Sequence, residues 1–223
     1  MISVGTSKFK RHRRWASRTV SLEPLEPRIV LNADVVISEL VASNSLGLRD
    51  YHDDASDWFE ILNHGSTRVN LEGWYVSDNP QNLTQWQFPV STELGPNERL
   101  VVFASGKDFV STNGELHTNF KLNSGGEYLA LVDPAGTIAH GFDPAFPPQA
   151  RNVSYGLEEN SNHLFAFMDT PTPGEPNGMG FANLMNPPTF SAHSGTYSDD
   201  FWLELTTNHP DGQIRYTMDG RVP

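Results

Sequence analysis

Between Asp50 and Gly65 the chain reads DYHDDASDWFEILNHG, which holds the carboxylates Asp50, Asp53, Asp54, Asp57 and Glu60 together with His52 and His64. Calcium takes six to eight oxygens from carboxylates and carbonyls in a flexible loop. Asp50, Asp53, Asp54 and Asp57 are the residues here that would supply them, which makes calcium a candidate, although the expectation is that the chain carries no cofactor. The stretch lacks the D-x-[DN]-x-[DN]-G run and the twelfth-position Glu of a helix–loop–helix calcium site. The competing reading is a solvated loop whose last Asp accepts bonds from backbone amides where a strand begins. His52 and His64 flank the carboxylates and would be the ligands if the ion were zinc. The eight histidines are scattered, with none at i, i+4 spacing, so surface positions are the simpler expectation. Glu60 falls inside a strand pattern, where a bond to backbone or arginine is expected rather than acid–base chemistry.

Other chemistries lack their residues. There is no cysteine, which excludes disulfides, thiolate metal sites and a cysteine nucleophile. G-x-S-x-G, H-E-x-x-H and the Walker loop are absent. The expectation is no catalytic residues and no enzymatic activity. Trp74, Tyr75, Trp86 and Phe146 are candidates for a sugar-stacking platform, against the reading that large aromatics fill the core.

The elements that must position these residues are strands. VVISELVA (35–42), DWFEILN (57–63), GWYVSDN (73–79), LTQWQFPV (83–90), ERLVVFA (98–104), EYLALVD (127–133) and GTIAHGF (136–142) are strand-length runs rich in Val, Ile, Tyr, Phe and Trp. Strict alternation puts Val36, Ser38 and Leu40 on one face and Val35, Ile37, Glu39 and Val41 on the other. It likewise separates Trp58, Glu60 and Leu62 from Phe59 and Ile61. Turn groups such as DNPQN (78–82), LGPNE (94–98) and NSGGE (123–127) lie between the runs. Strands at this spacing with no helix-period segment predict an all-β antiparallel sandwich.

Charge and punctuation divide the chain. Seven basic residues against three acidic ones give residues 1–34 a net +4, which leaves −16 on residues 35–223 of a chain at −12. An acidic body repels phosphate backbones, so no nucleic-acid binding is expected of the folded part. The basic head reads as a targeting leader. No stretch reaches the ~20 apolar residues of a membrane span. TPTPGEPNG (170–178) ends the strand-rich region, and FWLELTT (201–207) and QIRYTM (213–218) follow. The expected divisions are a mostly disordered leader (1–33), one sandwich (34–178), a linker (179–187) and the front half of a second β module (188–223), the chain reading as a fragment of something longer.

ISEL-x-ASN (37–44), DWFEILN (57–63), V-x-LEGWYVSDN (69–79), VVFASGKD (101–108), LHTNFKL-x-SGGEYLAL (116–131), SYG (154–156) and TPTPGEPN (170–177) together resemble a lamin tail domain. The resemblance implies an immunoglobulin-like sandwich used for binding or structure, with Glu39, Asp57, Glu60 and Asn63 as structural polar positions. LEPLEPRIVLNAD (22–34) resembles the LEPR-x-L-L motif of large bacterial exported proteins through Leu25, Glu26, Pro27, Arg28 and Leu31, with Val30 where the pattern has Leu. That likeness implies sorting or export. Residues 187–223 are similar to the start of a chitobiase/β-hexosaminidase C-terminal-like module. The combined expectation is a non-enzymatic module of an exported or cell-surface protein, its partner an unidentified protein or surface polymer. The alternative is a calcium- or glycan-binding accessory module of a larger extracellular enzyme.

Overall fold

The computed structural model describes residues 28–31, 34–158, 164–184, 188–207 and 214–218. Its strands are β1 (Arg28–Leu31), β2 (Val35–Val41), β3 (Trp58–Asn63), β4 (Val69–Asn70), β5 (Tyr75–Ser77), β6 (Trp86–Gln87), β7 (Glu93–Leu94) and β8 (Arg99–Phe103), followed by β9 (Phe109–Val110), β10 (Leu116–His117), β11 (Leu129–Val132), β12 (Ile138–Asp143), β13 (Ser154–Leu157), β14 (Phe165–Met168), β15 (Thr189–Phe190) and β16 (Leu205–Thr206). Among the described residues there is no α-helix. One sheet has the order β1-β12-β11-β5-β6, the other β14-β13-β2-β3-β8-β10-β9. The short β8–β10 contact is parallel; β2, β3 and β8 pair antiparallel. The expected all-β sandwich is what the chain forms.

The core lies between the sheets. Ile37, Leu40, Phe59, Ile61 and Val102 enter it from one side, and Val76, Leu129, Leu131 and Phe142 from the other. β3 is buried along its whole length. Phe59 and Ile61 face the inter-sheet core, while Trp58 packs with Val41 and Phe103, and Leu62 with Val36 and Leu157. The alternation read from DWFEILN therefore holds, with both faces covered.

β2 departs from strict alternation. Its register against β3 shifts between Ile37↔Ile61 and Glu39↔Glu60, which leaves Ser38 as an extra residue. Such a bulge reverses the faces of everything after it. Ile37 and Leu40 both point into the core, and Glu39 is carried to the outer face opposite Glu60. Alternation alone would have driven a carboxylate into the apolar interior.

Other expectations shift too. Arg28–Leu31, read as part of the leader, is a strand on β12. QIRYTM contributes no strand over 214–218, and FWLELTT only β16. β10, β13 and β14 are too short to show a period in the sequence. Among the described residues β15 and β16 pair only with each other, and Trp202 and Met218 are almost fully exposed.

Phe59 is fully buried and stacks on Phe120 with the ring planes 4° apart. Phe59→Ala should lose about 3–5 kcal/mol in denaturant unfolding. Leu46→Ala, at a residue 82% exposed, should stay within about 0.5 kcal/mol of the parent.

Candidate functional site

The loop between β2 and β3 carries the predicted carboxylates, and the structure gives each a different surrounding. Asp50 is buried. Its Oδ1 accepts the backbone N–H of His52 at 2.9 Å and of Asp54 at 3.2 Å. Its Oδ2 accepts the Ser56 hydroxyl at 2.7 Å and the Lys107 ammonium at 2.5 Å. Lys107 also donates to Asp54 Oδ2 at 2.8 Å, so one ammonium serves both carboxylates. Burial pushes the Asp50 carboxyl up, but Lys107, Ser56 and the two amides outweigh it and hold it at about 2. Asp53 has a positive φ of 63° and pairs with Arg49 at 3.6 Å. Asp57 accepts the Asn44 N–H at 2.9 Å; burial raises its pKa against the pull of Lys121.

Asp54, Asp57, Ser105, Lys107 and Lys121 line a polar cleft of 470 Å³. Among the described residues, no group of three or more His, Asp or Glu is arranged to hold a metal ion. His52 packs against Tyr51 and Phe109. His64 lies close enough to His140 to act on its charge. Of the four candidate aromatics, Trp86 and Phe146 are buried, and Trp74 and Tyr75 pack against buried clusters. They form no open platform.

Sequence reasoning missed a row beside the cleft. His117 Nδ1 lies 3.0 Å from Ser105 Oγ, and its Nε2 lies 3.6 Å from Glu115 Oε2. The row makes no usable nucleophile, because the imidazole is fully buried and stacked between Phe103 and Phe109. Burial lowers the His117 pKa, which weakens it as a general base.

The second polar cluster sits on the outer face of β2 and β3. Glu39 and Glu60 are fully buried and directly opposite. Ser38 Oγ donates to Glu60 Oε1 at 2.6 Å, and Arg99 Nε lies 3.5 Å from the same oxygen. The loop after β14 supplies the other donors: Thr172 N–H reaches Glu39 at 3.2 Å, and Gly174 N–H reaches Glu60 Oε2 at 2.7 Å. Asn177 Nδ2 donates to the carbonyls of Ser38 and Leu157. Gly156 is required here, since a Cβ would stand 2.9 Å from Ser38 O. Asn63, the other expected polar position, donates to Thr67 O and Leu94 O and accepts from Gly65 N–H. In the leader motif, Arg28 and Leu31 lie in β1, and Leu25, Glu26 and Pro27 lie outside the described residues.

Two buried groups titrate in opposition. Burial, with Glu60 adding to it, raises Glu39 to about 7 despite the donors at Thr172. The folded state then holds a proton that the unfolded state has released, so stability falls as pH rises from about 4.5 to 7. Burial lowers His140 to about 3, with His64 contributing. Its Nδ1 accepts the Ile37 N–H, and its Nε2 has no hydrogen-bond partner among the described residues. Here the unfolded state holds the extra proton, so stability rises with pH up to about 6.5.

The fold is a two-sheet sandwich in which these buried polar side chains bind the chain's own loops. The family model described as Lamin Tail Domain matches residues 31–144. The chain belongs to the lamin tail domain family. No curated protein matches it. β13, β14 and the 170–177 loop lie beyond the match, yet they complete the seven-stranded sheet and its outer cover.

Lys107→Met leaves Asp50 buried without its cation and should lower unfolding stability by about 2–4 kcal/mol. Between pH 4.5 and 6.5 the Glu39 titration works against those of His140 and His117, so wild-type stability should rise less steeply with pH than that of a variant lacking the Glu39 carboxyl. Glu39→Gln is that variant, and its stability should climb by about 3 kcal/mol over that range, read from urea midpoints at each pH. Gly156→Ala should unfold at clearly lower urea than Gly178→Ala, where the added Cβ meets nothing within 4 Å.

Proposed function

We propose that this chain is a non-catalytic interaction module of an exported or cell-surface bacterial protein, used in adhesion or scaffolding and bound by a protein or a surface polymer. The observation that carries the reading is how the chemistry-bearing side chains are used. Asp50 and Asp54 are bridged by Lys107, Glu39 and Glu60 hold the 170–177 loop, and Ser105 and His117 are buried against each other. What is left for a partner is loops and sheet edges. The basic leader and its LEPR-type motif (Leu25, Glu26, Pro27, Arg28, Leu31) support export. No helix among the described residues is long and apolar enough to cross a membrane.

The polar cleft lined by Asp54 and Asp57 favours one second reading, a calcium- or glycan-binding accessory role. Co-sedimentation with insoluble chitin, cellulose and peptidoglycan separates the two. Chelator-sensitive retention on a polysaccharide supports the accessory role. For export, the full chain expressed in a bacterial host should be recovered outside the cytoplasm, whereas residues 34–223 stay inside. Equal distribution of the two would remove the leader from the proposal.

A further inference from the structure

The polar cleft beside the acidic loop is laid out by backbone pairing. Ala104 N–H donates to the Asp57 carbonyl at 2.8 Å, and Ser105 bridges antiparallel to Lys121. Asp57 and Lys121 therefore flank the 104–105 segment, with backbones about 10 Å apart across two strand spacings. Ala104 and Ser105, both small, line the cleft between them.

Most of the polar lining is already used. Asn44 donates through Nδ2 to Leu48 O and Ser56 O, and its Oδ1 accepts the Gly47 N–H. The Ser56 hydroxyl donates to Asp50, and Ser105 Oγ accepts the Lys107 N–H and faces His117 Nδ1. Asp54 shares the Lys107 ammonium with Asp50. Two groups are left over. Asp57 accepts the Asn44 N–H through Oδ1, while its Oδ2 has no hydrogen-bond partner among the described residues. Lys121 is exposed, and among the same residues its ammonium makes neither a hydrogen bond nor an ion pair. Its stem lies across Gly106, where an added Cβ would meet Lys121 Cγ at 3.4 Å and Cε at 3.5 Å. Asp57 and Lys121 do not pair with each other, yet Lys121 is near enough to act on the Asp57 charge.

A spare carboxylate oxygen and a spare ammonium on one cleft select a molecule that carries both charges. A bare cation would leave Lys121 unused, and the described residues include no cluster fit for a metal ion. A bare anion would be set against Asp57. No aromatic side chain lines the cleft, so a sugar ring finds nothing to stack on. We propose that this cleft binds a zwitterionic α-amino-acid group, its ammonium donating to Asp57 Oδ2 and its carboxylate accepting from Lys121 Nζ. The cleft is that of the accessory reading with a different ligand, and the inference depends neither on export nor on polysaccharide binding. Free amino acids carry such a group, and so do peptides in which a diamino-acid side chain ends in an unblocked α-amino-acid centre.

Titration of the full chain, followed by NMR shifts, with alanine, alanine amide and N-acetylalanine tests the pairing. Alanine should bind at least about tenfold more tightly than either derivative, since each lacks one of the two charge-assisted bonds. K121Q, at an exposed side chain, should bind alanine and alanine amide equally, because the carboxylate has lost its partner. A lysine with only a structural role would leave the preference for alanine in place. An N-acetylated peptide holding diaminopimelate through one of its two centres separates the sources. Tighter binding than alanine assigns the group to a peptide, equal binding to a free amino acid, and both uphold the zwitterion. No binding of alanine or of the peptide overturns the proposal, as does equal affinity of the wild type for alanine and its amide. Retention on a polysaccharide without binding of these probes would overturn this inference and leave the accessory reading standing.

Discussion

Two carboxyl groups facing each other inside a protein need donors, and the placement of Glu39 against Glu60 organises the outer face of the larger sheet. An unpaired buried carboxylate costs several kcal/mol. The donors include Ser38 in the bulge of β2, Arg99 on β8, and the backbone amides of Thr172 and Gly174, which lie far apart along the chain. The proline-rich loop after β14 is thus bound by the sheet it covers. Its three prolines stiffen it before binding, and Asn177 ties its end to β2 and β13. The sheet and the loop depend on each other, although Glu39 and Glu60 lie more than a hundred residues before the amides they hold.

The acidic loop follows the same rule on a smaller scale. Asp50 is buried because Ser56, two amides and Lys107 satisfy it, and Lys107 comes from the turn after β8. Lys107 also reaches Asp54, which brings the loop down against the neighbouring edge of the sheet. The cleft beside it is polar, and its carboxylates and Lys107 are already engaged with neighbouring groups.

The legible part of the fold was the part with a period. Phe59 and Ile61 against Trp58, Glu60 and Leu62 could be sorted by alternation, because β3 is regular over six residues. β2 could not, because a bulge leaves no mark in composition: Ser38 looks like any polar residue of an alternating strand, and only its register against β3 shows that it is extra. At the site, the carboxylates were visible as a cluster, but their cation was not. Lys107 lies 57 residues from Asp50, and a single lysine in a turn carries no local signal of its partner. The loop 170–177 read as a boundary, since Pro and Gly mark the end of a strand but say nothing about what the backbone amides bind. β1 escaped notice because four residues behind a basic leader have too little context to be read as a strand.

Lys107 supplies from within the chain the positive charge that the acidic loop needs. Thermal unfolding of the full chain in millimolar calcium and in chelator tests this most directly. Coincident curves are the expected result. A rise in the midpoint of roughly 5–10 °C with calcium, the size of shift given by a site held about a hundredfold above its dissociation constant in a domain this large, would contradict it and make Asp50, Asp53, Asp54 and Asp57 the place to look for the ion.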